Sequence, residues 1–467
     1  MDKAVRAADQ DWDDDPLTVV TTRRVARRFR LAVRILLGLA TVWMVWSVLA
    51  YLSDHGTTAD PNHHRGMAAL IITPVVFLTL LALEVAAPLA KPDPVRIRRR
   101  LGLVSAFATV LCLAAIAVAW SQVYERSALM EAKGTVVAGP RQAEDFLRSH
   151  LPREDAGAKR IPTGVFLQSV KFEGASDVAV SGYVWQRVPK GAEDKAGVVF
   201  PEADDAYVTK DSEVYRQVQG DHTLIGWYFD TQLRQRFDYG SYPLDKQNVW
   251  LRMWSADFSD QAILSPDYAA YPPWKNGAMT GVDEQMVYGE WNPDFTAFSY
   301  VTNHYNSNFG YGTTATQAGD GTPELYFNLG LKRDPQGPLY GQLIRWLFIA
   351  LIVFAALFLV TVDSERREVV GFTTFEVMSF AVGMLLVIVF DQVAVREAVE
   401  ARGVVYLEYF SYALYGMILL VGLNAMLITT KTHIRVLTWG GNLLPKLLYW
   451  PCYLGMVLTA TLLAFLV

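Results

Sequence analysis

Predominantly apolar runs of about 20 residues, the length that crosses a bilayer core as a helix, occur near 31–52, 67–90, 102–121, 341–362, 369–390, 404–429 and 442–467. Between the third and fourth runs the pattern changes. Short segments rich in Val, Tyr, Phe and Trp alternate with turn signals: VFLQSVKF, VAVSGYVWQRV, TLIGWYFDTQLRQRF, QNVWLRMWSADF, QMVYGEW, FTAFSYVTN and ELYFNLGLKR. Strands at this spacing predict an antiparallel β-sandwich or barrel. An amphipathic helix around AEDFLRSHL precedes them, and the polar stretch 303–322, with many Gly and Asn residues, reads as a long loop before the last strand. The predicted fold class is an α+β membrane protein: an antiparallel β-sandwich outside the membrane plus seven transmembrane α-helices. Its domains are a tail (1–30), three N-terminal transmembrane helices (31–123), the β-sandwich domain (124–338) and a C-terminal bundle of four helices (339–467).

Orientation follows from the basic clusters RRVARRFR, RIRRR, SERRE and KTHIR, which fall in alternate loops once seven spans are drawn. Basic residues are held on the cytoplasmic side. The N-terminus is therefore expected inside, and the β domain and C-terminus outside. The first apolar run follows a polar tail of 30 residues without a small-residue cleavage site, so no cleaved signal peptide is expected. Hydrophobic residues make up 52% of the chain and charged ones 19%, which fits a protein with both membrane and aqueous parts.

Between Tyr124 and Asp334 there are 20 Lys and Arg against 29 Asp and Glu, a net charge of −9 where the whole chain carries −5. An acidic outer domain repels anions, nucleic acid included, and concentrates small cations. The same charge also serves solubility. Cys112 and Cys452 both fall within predicted spans, so no disulfide framework supports the outer domain. The pair His63 and His64 has no carboxylate or Cys ligand at metal-site spacing nearby, and neither a metal nor another cofactor is expected. A membrane enzyme finds little support, since nucleophile elbow, paired metal motif and Gly-rich phosphate loop are all missing from the sequence.

The run REVVGFTTFEVMSFAVGMLLVIVFDQV (367–393) carries a carboxylate about a third of the way through. Val369, Thr373, Glu376, Phe380, Gly383 and Val387 recur at helical spacing and form one stripe. Glu376 lies seven residues, or roughly 11 Å, beyond Val369 along a helix. An ionised carboxylate there is costly against lipid. Three arrangements accommodate it: lining a water-filled pathway, pairing with a group on another span, or remaining protonated as an interhelical donor.

These residues resemble a known family. FDYGSYPLDKQNVWLRMW (237–254) is similar to the signature loop of the pentameric ligand-gated ion channels, the Cys-loop receptors and their prokaryotic relatives, with Pro243, Leu244, Asp245 and Gln247 carrying the match. ELYFNLGLKRDPQGPLYGQLI resembles the last outer strand running into the first channel helix, with Lys332 and Arg333 at the junction. REVVGFTTFEVMSF resembles the pore-lining second helix. The resemblance covers residues from about 160 to 467 and the order of the domains. Flanking cysteines are missing, as in prokaryotic members, and Glu376 stands where the family carries a bulky apolar residue. The three N-terminal spans have no counterpart in the family pattern.

The resemblance implies a homo-pentamer in a bacterial inner (plasma) membrane, with the six stripe residues lining a pore that prefers cations. Five carboxylates around a narrow lumen would titrate as a coupled set and make conductance depend on pH. Pro243, Asp245, Lys332 and Arg333 would couple the outer domain to the pore. Trp254, with Tyr305, Phe309 and Tyr311, would form an aromatic cage for an ammonium ligand, although an aromatic residue on such a strand equally serves core packing. The effector is then a small molecule or the proton. The alternative function is a sensory receptor whose outer β domain signals to a separate partner through its transmembrane helices.

Overall fold

The computed structural model describes residue 35 and residues 94–151, 159–208, 212–256, 262–272, 279–306, 321–359, 374–399, 403–429 and 442–466. The predicted spans near 31–52 and 67–90 lie outside these residues, apart from Ile35. So do His63, His64, Phe309, Tyr311, Val369 and Thr373. The chain divides into two compact units, one of residues 1–123, 340–395 and 406–467, the other of residues 124–339 and 396–405.

Among the described residues are five helices long and apolar enough to cross a membrane. They belong to α1 (Pro94–Glu125), α3 (Gln336–Leu359), α4 (Thr374–Val399), α5 (Glu408–Thr429) and α6 (Leu443–Leu466). Four of them bury residues at three- and four-residue spacing, while α4 buries only Val377, Ile388, Val395 and Val399 among its described side chains. In α1 the stripe is Cys112, Ile116, Ala119 and Val123. Continuing past the expected end near residue 390, α4 runs to Val399.

The second unit begins with a helical turn at Ala128–Glu131, β1 (Thr135–Val137) and α2 (Pro140–His150), which buries Ala143 and Leu147 four residues apart. The strands follow: β2 (Arg160–Phe172), β3 (Asp177–Pro189), β4 (Val198–Val199), β5 (Tyr207–Val208), β6 (Glu213–Gln219), β7 (His222–Arg234), β8 (Lys246–Ser255), β9 (Ile263–Pro266), β10 (Trp291–Thr302) and β11 (Pro323–Arg333). They form a six-stranded sheet in the order β1-β10-β11-β8-β4-β5 and a five-stranded sheet in the order β6-β7-β3-β2-β9. One hydrophobic core draws on both sheets, from Val165, Val180 and Trp227 to Leu251, Phe298 and Phe327.

Alternation along β3 buries Val178, Val180, Val184, Gln186 and Val188 on one face. The polar member of that row is satisfied by the backbone of Gly197, whose N–H donates to Gln186 Oε1 at 2.9 Å. Its carbonyl accepts from Nε2 at 3.2 Å. By contrast β11, hydrogen-bonded on both edges to β10 and β8, is buried almost throughout.

Two strand expectations change. The second sheet is mixed, because β9 pairs parallel to β2. QMVYGEW does not form a strand: its residues before Trp291 close local turn bonds, from Met286 N–H to Asp283 O and from Trp291 N–H to Tyr288 O. Gly289 there has φ +63°, a left-handed conformation that interrupts a ladder and that glycine tolerates best.

Candidate functional site

Three constellations hold the described residues among those singled out from the sequence. The first lies where β11 ends. The loop between β7 and β8 returns to place Asp245 directly before β8, with its side chain 1% exposed. Arg333, the last residue of β11, meets it with Nε donating to Oδ1 at 2.7 Å and Nη2 donating to Oδ2 at 3.2 Å. Nη1 donates to Glu290 at 2.9 Å. The guanidinium also lies over Trp291, 4.1 Å from the ring centroid, and over Tyr242 at 5.0 Å. Burial works against its charge, but the hydrogen bonds and charge of Asp245, with Tyr242 and Glu290, outweigh it and raise the Arg333 pKa above the ordinary value. Gln247 Nε2 fastens the loop by donating to Asp245 Oδ2 at 3.0 Å and to the Asp238 carbonyl at 2.7 Å. Pro243, in a cis peptide bond with Tyr242, lies in the same loop.

Lys332 points to a different set of partners. Its Nζ meets Asp294 at 2.5 Å, and Asp294 also accepts from the Ala128 N–H at 2.6 Å and the Ser127 hydroxyl at 3.0 Å. Directly opposite Lys332 in the ladder is Lys246, whose Nζ donates to the Arg126 carbonyl at 2.6 Å. Burial, with Lys332 and Arg126 nearby, pushes the Lys246 pKa down to about 8. Beside this constellation is a cavity of about 700 Å³ walled by Phe172, Tyr242, Tyr288, Trp291, Arg333 and Val399, the last contributed by the end of α4.

The second constellation contains Trp254 on β8 and Tyr305 after β10. Their rings meet edge to face with centroids 6.0 Å apart. The cation over Trp254 comes from the chain itself: the Arg252 guanidinium lies 5.1 Å from the ring centroid. Arg252 also pairs with Glu202, lies 3.7 Å from Glu324, and donates to the Tyr305 hydroxyl at 3.4 Å. The Tyr305 hydroxyl in turn donates to Glu324, which also accepts from Asn303 Nδ2 at 2.6 Å. Desolvation raises the Glu202 pKa, against the pull of Arg252. Arg252 and Trp254 stand two apart on a strand and so share a face, a relation legible in the sequence. The arrival of Glu202 and Glu324 is not, because no local pattern marks the partners of Arg252.

The third constellation is α4. Val377, Ile388 and Val395 form its buried stripe, while Glu376, Gly383 and Val387 are exposed and Phe380 is half-buried. Only 17% of this span is buried within the described chain, against 56% for the span in α5. Near the other end of the helix lies a polar cluster that the hydrophobic pattern does not single out. Asp391, with its side chain 8% exposed, accepts from Gln342 Nε2 at 2.7 Å and Trp346 Nε1 at 3.0 Å, and Arg345 Nε lies 3.2 Å away. Gln392 donates to the Tyr412 hydroxyl at 3.2 Å and accepts from Tyr415 at 2.9 Å. No group of His, Cys, Asp and Glu that would hold a metal ion is found among the described residues.

No protein-family model matches the chain, and no curated protein matches it.

Proposed function

We propose that the chain is one subunit of a homo-pentameric, cation-selective channel gated by a small molecule or by protons. Two sheets sharing one core are read as the β-sandwich of the outer domain, and the spans near 31–52 and 67–90 complete seven transmembrane helices. The observation that carries the reading is the state of α4, which packs through one stripe and leaves Glu376 and Gly383 exposed on its own chain. A carboxylate on a membrane helix must face protein or water. Further copies of α4 enclosing a wet lumen provide both.

The junction of β11 and α3 supports the same reading. The buried Asp245–Arg333 pair holds the signature loop against the strand that leads into the first channel helix. On this reading the effector acts around Trp254. Because Arg252 already lies over that ring, a cationic ligand would have to exchange with it, whereas protons would act on Glu202, whose pKa burial raises within the same cluster.

The test is electrical. In planar bilayers the wild-type protein should conduct cations in preference to anions, with a current that depends on pH. Glu376→Gln should shift the reversal potential in a salt gradient toward that of an unselective pore and flatten the pH response. A variant unchanged in both properties would remove Glu376 from the lumen.

A further inference from the structure

The channel reading leaves the helices before residue 124 without a task, and α1 bears on what they do. Besides its apolar stripe, α1 carries polar groups that are individually partnered. Ser105 Oγ donates to the Leu447 carbonyl of α6 at 2.5 Å, and Trp120 Nε1 donates to the Tyr406 hydroxyl at 2.7 Å. Tyr406 shares a second hydrogen bond, 2.7 Å, with Thr461 of α6. These bonds lie 15 residues apart along α1, about 22 Å at the helical rise. They fix both its rotation and its height against its neighbours.

A continuous set of contacts runs on from Trp120. Its ring lies 6.3 Å from that of Phe410 on α5. Phe410 stacks on Trp346 of α3 at 4.7 Å with the planes 12° apart, and Trp346 Nε1 is one of the donors to Asp391 on α4. Trp346 and Tyr406 are almost completely buried, so a displacement of one ring is passed to the next rather than taken up by empty space. Asp391 is sensitive to that displacement. A buried carboxylate depends on every donor it has, and Trp346 can aim Nε1 at it only while its ring is held.

We infer that α1 is a built-in positioning element for the pore helix: Trp120 sets the stack of Phe410 on Trp346, and that stack sets the hydrogen bond which anchors Asp391 and with it the far end of α4. Trp120 is a positioning residue, touching neither Asp391 nor the proposed lumen. The functional half of this inference rests on the channel reading, while the structural half does not. It also separates this chain from a channel whose extra helices only anchor it in the membrane.

A double-mutant cycle between Trp120→Leu and Asp391→Asn, measured by thermal melting of the full-length protein in detergent, tests the structural half. Sites without shared partners give additive losses. Coupling through the ring stack predicts that the double variant loses less than the sum of the two single losses, because Trp120→Leu already weakens the bond to Asp391. Additive losses would overturn the inference. Trp120→Phe keeps an aromatic ring on Phe410 and loses only the donor to Tyr406, so it should retain the coupling; if Trp120→Leu does not fold, a cycle between Phe410→Leu and Asp391→Asn takes its place.

In bilayers, Trp120→Leu, or Phe410→Leu in its place, should shift the proton concentration that half-activates the current at least about fivefold, the lower end of ordinary coupling between sites, at unchanged unitary conductance. An unchanged midpoint would also overturn it. A wild type that passes no current would reject the channel reading instead, and the melting cycle would still decide whether α1 positions α4.

Discussion

At the scale of single residues, the cost of holding charge away from water is most visible at Lys246. It stands opposite Lys332 in the β8–β11 ladder and close to Arg126, with burial as the largest influence on its proton. Between the depressed value of about 8 and the ordinary lysine value of 10.5, the unfolded chain binds a proton that the folded chain releases. Stability therefore rises with pH through that window. Melting curves of the wild type and of Lys246→Met should differ most, in favour of the variant, below about pH 8, and the gap should narrow toward pH 10.5. A gap independent of pH would mean that Lys246 is charged in the fold throughout. Arg252 shows the opposite solution. Glu202, Glu324 and the face of Trp254 surround it, so the aromatic position that the sequence offers to a ligand cation already holds one.

At the scale of elements, β11 has two tasks that the Asp245–Arg333 pair joins. It is a central strand, buried almost throughout, and its last residue closes the loop between β7 and β8 immediately before α3. Removing one member of a buried ion pair strands the other, at a cost of about 3–5 kcal/mol. Asp245→Asn should lower the stability of the protein toward denaturant by that amount, measured as a shift of the unfolding midpoint. A loss below about 1 kcal/mol, the worth of an ordinary hydrogen bond, would show that Glu290 and the rings of Trp291 and Tyr242 suffice for Arg333. Much of this was legible beforehand. The loop bearing Pro243 and Asp245 and the strand end bearing Lys332 and Arg333 were both singled out from the sequence, and the structure brings Asp245 onto Arg333. What was missed is that Lys332 turns away from Asp245, toward Asp294 and the backbone after α1. Neighbours on a strand point to opposite faces, so two adjacent basic residues take different partners.

At the scale of the whole molecule, the channel reading requires further copies to cover the face of α4 that carries Glu376 and Gly383, both exposed on the single chain. Native mass spectrometry of the detergent-solubilised particle should return five copies. Two copies would favour the receptor reading, which requires no ring. On the channel reading, the net charge of −9 between Tyr124 and Asp334 would concentrate cations by electrostatic focusing, and raised ionic strength should weaken that contribution.

The five described membrane-length helices and most of the long strands were determined by the sequence alone, because hydrophobic length and the two- or 3.6-residue alternation are local properties that each segment carries by itself. The same locality placed Glu376 on a helix and Arg252 beside Trp254. Only the tertiary structure decided which distant groups neutralise the buried charges: Glu202 reaches Arg252 across 50 residues, and Gln342 and Trp346 reach Asp391 across 49 and 45. It also decided that Trp120 stacks beside Phe410. A partner chosen through packing leaves no period in the chain, since it depends on how elements distant in sequence are brought together rather than on the order of residues within any one of them.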